Sequence, residues 1–150
     1  MSSDAMDTKK VEEALQDALA HQGTSILTMS LLAGALRGAT SVAITLNLRA
    51  FVLAELEDTY LLVEKLSALG GYPQMGGSAL DLPAGSGAAL RALMDHERAG
   101  VAALHAVIAD SGQEPRSEAL EHLLEHVIMR KQQQIDFLWH ALDEDAEPYT

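Results

Sequence analysis

Between Gly71 and Gly85 the chain reads GYPQMGGSALDLPAG, the only long irregular stretch in a sequence otherwise patterned for helices. Its glycines and prolines break any helical period, and its length decides which way the chain continues. About 15 residues extend to about 50 Å, whereas a helix over the preceding Ser41 to Leu69 is about 43 Å long. The segment can therefore run the full length of a bundle and start the next helix parallel to the last.

Four long segments around it carry apolar residues at helical spacing, and none shows a sustained strand-like alternation, so the expected fold class is all-α. The first helix is expected from Thr8 to Leu36, with Val11, Leu15, Ala18, Met29 and Leu32 on one face. The turn RGATS follows, where Gly38 suits a helix C-terminus and Thr40 or Ser41 caps the next helix. So short a turn makes the first two helices antiparallel. The second helix is expected from Ser41 to Leu69 and the third from Ser86 to Ala109. The fourth opens near Pro115 and Ser117 and runs to about Leu142. The result is a single domain over residues 1–150, an up-down-down-up four-helix bundle with one crossover between helices 2 and 3. The acidic tail from about residue 143 is expected to fray.

Composition narrows the partners. The chain has 22 acidic and 10 basic side chains, a formal charge of -12, which disfavours both nucleic acid and anionic membrane. With no cysteine there is no disulfide, thiolate metal site or thiol nucleophile. MSSDAMDTKK lacks the apolar core of a secretory signal and SILTMSLLAGAL is too short to span a bilayer, so a cytoplasmic location is expected.

Each inward stripe is interrupted near its middle by polar residues: Gln22 on the first helix, Glu55 and Asp58 on the second, Glu97 on the third, Lys131 and Gln134 on the fourth. Surface residues placed at random would scatter around the helices. These six instead fall in phase with the leucines and are expected to meet at one level.

At these residues the sequence resembles the ferritin-like superfamily, bacterioferritin in particular. The likeness extends over helix lengths, the crossover, and the strings ELEDTYLLVEKLSALGGYP and QQQIDFL. The resemblance implies a two-iron centre ligated by Glu, Glu-x-x-His, Glu and Glu-x-x-His on successive helices. Those ligand positions correspond to Gln22, to Glu55 and Asp58, to Glu97, and to Lys131 and Gln134, so only Glu55 and Glu97 keep their identity. Lys131 offers donors only and repels a divalent ion, both expected histidines are missing, and an iron-storage ferroxidase is not expected. Leu56 stands where a bacterioferritin supplies the methionine that binds haem, so no haem is expected either. The resemblance further implies a homodimer through helices 1 and 2 rather than a closed cage, because the chain lacks the short fifth helix.

Three readings of the interior follow. In one it is a pocket for a small molecule, with Glu55 or Glu97 as general acid or base and Asp58 tuning its neighbour. Lys131 then stabilises negative charge or forms a Schiff base, and Gln22 and Gln134 orient the ligand. In another, Lys131 replaces the metal charge in a buried ion network with Glu55, Asp58 and Glu97, and the protein is a catalytically silent structural or partner subunit. In the third, Glu55, Asp58 and Glu97 retain a single iron or other divalent ion. No other cofactor is expected.

The remaining candidates have simpler explanations. His122 and His126 have a metal-compatible i, i+4 spacing but lie off the core stripe, and read as an exposed acidic surface. His21 and His96 flank Gln22 and Glu97 and point about 100° away from them, while His105 reads as a flank residue. Phe137 and Trp139 read as packing or interface residues. GGYPQMGG lacks the strand that a phosphate-binding glycine loop requires.

Overall fold

The structure is a computed structural model that describes residues 5–39 and 41–142. Its elements are α1 (Thr8–Ala35), α2 (Ser41–Ala68), α3 (Ser86–Ala109) and α4 (Pro115–Ala141), with no strand among the described residues. The four expected helices are present, each ending within a residue of its expected limit. The Thr40 cap and the tail from residue 143 lie outside the described residues.

Local chemistry sets these ends. Asp7 caps α1, its Oδ1 accepting from the Lys10 N–H at 3.2 Å. After α2, Gly70 takes φ +96°; its N–H donates to the Ser67 carbonyl and the Gly71 N–H to the Leu66 carbonyl, each at 3.0 Å. This paired closure satisfies two carbonyls that the helix end would otherwise leave open, and its left-handed residue favours glycine. Pro115 opens α4, where a missing N–H costs nothing.

The crossover runs along α1. Gln16 Nε2 donates to the Tyr72 carbonyl at 2.5 Å, Gln16 Oε1 accepts from the Gln74 N–H at 3.1 Å, and Thr28 Oγ1 accepts from the Leu80 N–H at 3.0 Å. Contact thus moves from Gln16 to Thr28 as the crossover moves from Tyr72 to Leu80, carrying the chain back up the bundle. The approach is close: a Cβ on Gly23 would lie 2.6 Å from the Gly76 carbonyl oxygen. Helix α3 then starts beside the top of α1 and runs down, and the order is up-down-down-up. Helix α1 packs on α2 and α3; α4 packs on α3 and, along a narrower seam, on α2.

The core is split in two. One apolar cluster joins Leu15, Leu62, Leu104 and Leu124 at the lower end, and a second joins Met29, Leu48, Leu93 and Ile135 at the upper end. Between them lies a belt that is buried and polar, containing Gln22, Ser25, Glu55, Asp58, Thr59, Glu97, Lys131 and Gln134. No helix of the described residues is long and apolar enough to cross a membrane.

Candidate functional site

Helix register builds the belt. Glu55, Glu97 and Lys131 occupy positions on stripes that are otherwise mainly leucine and valine, so folding draws them inside with their neighbours. Glu55 and Glu97 are 0% exposed and Lys131 is 1% exposed. Lys131 Nζ donates to Glu55 Oε1 at 2.9 Å and to Glu97 Oε2 at 2.8 Å, so one ammonium joins α2, α3 and α4. Its stem passes Gly100, where a Cβ would stand 3.6 Å from Lys131 Cε. Helix α1 completes the arrangement: Gln22 Nε2 donates to Glu55 Oε2 at 2.5 Å and to Thr59 Oγ1 at 3.3 Å, and the Thr59 hydroxyl donates to the Glu55 carbonyl at 2.7 Å.

Burial and charge compete here. Burial pushes the Glu55 carboxyl above the ordinary carboxylate range, further than the Lys131 ammonium pulls it down, and the Glu97 carboxylate adds to the rise. Burial draws Lys131 down, but the Glu97 and Glu55 carboxylates outweigh it and leave the ammonium above its ordinary value. The amine therefore stays charged between the two carboxylates.

Asp58 does not join the other carboxylates as expected. It is buried, but its Oδ2 lies 2.9 Å from Arg130 Nε and its Oδ1 3.6 Å from His126 Nε2. Neither contact is aligned as a hydrogen bond, so charge holds the group. Burial raises the Asp58 carboxyl above its ordinary range, with Arg130 and then His126 pulling it back. The physical reason for the departure is a nearer cation: Arg130 precedes Lys131 on α4 and turns toward α2 instead of the bundle axis. Among the described residues no three His, Asp or Glu side chains converge to hold a metal. The Glu55, Asp58 and Glu97 set that the single-ion reading requires is not drawn together among them.

Sequence reasoning missed Arg130 and assigned His126 to an exposed acidic face. That assignment suits His122, which lies 3.8 Å from Glu118, but His126 sits against Asp58 with Arg130 Nη2 at 3.1 Å. The available signal was the buried Asp58 itself, a carboxylate that needs a cation from the facing helix. His21 and His96 do flank the belt. Their ring centroids are 4.9 Å apart across the α1–α3 seam, and His96 Nε2 lies 3.3 Å from the His21 carbonyl oxygen. Burial, His96 and Lys131 together hold His21 below its ordinary pKa. Phe137 packs edge to face on Phe51 at 5.3 Å, as a core residue does.

Four helices in this order around a central polar belt define the class. The chain belongs to the ferritin family, whose profile, described as a ferritin-like domain, matches residues 12–146. A solved structure described as a ferritin-like, diiron-carboxylate protein from Bacillus anthracis str. Ames has a TM-score of 0.80 to this chain. It covers 95% of this chain and 100% of that one at 18% sequence identity, a likeness of fold. No curated protein matches the chain.

Proposed function

We propose that this protein is a cytoplasmic ferritin-like subunit that does not oxidise iron, in which the Lys131 ammonium takes the place of the metals as the cation between Glu55 and Glu97. The observation that carries this reading is the pair of Lys131 bonds, 2.9 and 2.8 Å long, to the two carboxylates that match the family's ligands. The residues present do not fit two irons. An ammonium has no lone pair for a metal, Gln22 and Gln134 are neutral amides, and Arg130 and His126 hold Asp58. Haem fares no better, since Leu56 offers only methyl groups. Ferrous iron added in air is expected to oxidise no faster with the protein than in buffer alone, followed by ferric absorbance. Saturable oxidation of two irons per chain would overturn the reading.

Acid-base chemistry on a small molecule is the second reading, with Glu55, Asp58, Glu97 and Lys131 as its groups and Gln22 and Gln134 as binding residues. The upward shift of the Glu55 carboxyl favours it, because burial makes that group a better proton acceptor than an ordinary carboxylate. The pairing of both carboxylates with Lys131 weighs against it, because a substrate must first break those bonds.

The proposed subunit self-associates through α1 and α2. Val42, Leu46, Leu53, Leu56 and Tyr60 form an exposed row on α2 at alternating three- and four-residue steps, with Arg49 filling the remaining step. Leu53 and Tyr60 are 66% and 68% exposed, and Leu27 and Leu31 extend the apolar face onto α1. Such a stripe on a strongly acidic chain suits burial against a second copy. Light scattering after size exclusion is expected to give a dimer mass for the wild type and a monomer mass for Leu53→Glu. Equal masses would remove this interface.

A further inference from the structure

The belt contains polar atoms that the chain itself leaves unpaired. Gln134 Oε1 and Nε2, Ser25 Oγ, Gln22 Oε1 and Glu97 Oε1 are all buried and have no hydrogen-bond partner in the protein. Buried polar groups are almost always satisfied, so five orphans in one layer ask for a ligand. Register brings them together. Ser25 stands one turn beyond Gln22 on α1, Gln134 stands one turn beyond Lys131 on α4, and these two helices are parallel. Both side chains are therefore displaced the same way along the bundle, toward the upper core, from the level where Lys131 meets Glu97.

Donor chemistry selects the kind of ligand. Gln22 Oε1, Ser25 Oγ, Glu97 Oε1 and Gln134 Oε1 are four oxygens from three helices, with no sulfur or imidazole among them. Such a set suits a hard cation or an ammonium ion. Charge selects its valence. Glu55 and Glu97 bring two negative charges when ionised and Lys131 one positive charge, leaving one negative charge in the interior. One monovalent cation neutralises it, whereas a divalent ion leaves an uncompensated positive charge beside Lys131.

We infer that the upper half of the belt is a binding site for a small monovalent cation, seated against Glu97 Oε1 on the side away from Lys131 and ringed by Ser25, Gln22 and Gln134. The inference goes beyond the proposed function, because the Lys131 bonds stand whether or not this cation binds.

The test is thermal unfolding at about pH 8 in sodium, potassium, ammonium or choline chloride at equal ionic strength. Choline is too large for the belt and controls for screening. At least one of the small cations is expected to raise Tm saturably, by on the order of 5 °C at a hundredfold excess over Kd. Gln134→Leu is expected to lose that shift. Identical Tm values in all four salts, or an unchanged shift in Gln134→Leu, would overturn the inference. Should that variant fail to fold, wild-type crystals soaked in rubidium decide: an anomalous peak in contact with Glu97 and Gln134 supports the site, and ordered water alone there overturns it.

Discussion

Lys131→Met is expected to lower the stability of the folded protein by about 3–5 kcal/mol near neutral pH, a fall in Tm on the order of 10 °C for a domain of this size. Methionine replaces much of the stem beside Gly100 and removes the charge. Glu55 and Glu97 then remain buried without their shared ammonium, and the desolvation cost that Lys131 offsets is exposed. The loss should depend on pH in a definite direction. Burial already holds Glu55 above its ordinary value of 4.5, and removing the cation raises it further. A group with a raised folded pKa binds more protons folded than unfolded, so its contribution is most favourable at low pH and is lost as pH rises through the folded pKa. The variant should accordingly approach the wild type in mild acid and diverge from it upward from about pH 4.5. Denaturant melts across that range are the measurement. A loss under about 1 kcal/mol at pH 8 would mean that the amine does not neutralise these carboxylates.

The parts of this arrangement legible in the sequence depend on helical period and segment length. Lys131 and Gln134 interrupt a stripe of Leu120, Leu124, Val127 and Leu138, and a lysine aimed inward calls for carboxylates on the neighbouring helices. The length of GYPQMGGSALDLPAG fixed the topology, because a shorter connection would have forced α3 antiparallel to α2. What period cannot resolve is the direction of a side chain at the edge of its stripe. Asp58 shares a face with Glu55, yet it sits toward the α2–α4 seam, and its partners Arg130 and His126 read as surface residues by phase alone. The His21–His96 contact was hidden for a related reason: it needs the knowledge that α1 lies against α3, a consequence of the crossover and not of either helix's own pattern. The unpaired state of Ser25 and Gln134 depends on three-dimensional hydrogen-bond geometry and leaves no trace in spacing.

Removing the carboxylates together with the amine separates charge from packing as the source of the Lys131 effect. In Lys131→Met, Glu55→Gln, Glu97→Gln the belt keeps its volume and most of its hydrogen-bonding groups but carries no ionisable group at these three positions. About 3 kcal/mol of the stability lost in Lys131→Met is expected to return, because an ion cluster replaced as a whole costs far less than one broken at a single member. Two titrations should also vanish from its stability profile. The first is the wild-type decline as pH rises from about 4.5 through the raised pKa of Glu55. The second is the decline at the alkaline end: Lys131 contributes stability fully below its ordinary 10.5 and loses it as pH rises through its raised folded value. Asp58 and His21 still titrate in opposite senses. Asp58 has a raised carboxyl that favours low pH, and His21 has a lowered imidazole whose protonation below about 6.5 opposes folding. The triple variant thus retains a weaker pH dependence to which those two groups contribute. If it is instead as unstable as Lys131→Met alone, the lysine holds the bundle together through the packing of its stem, and the ion network at the centre of this protein is a consequence of the fold rather than one of its supports.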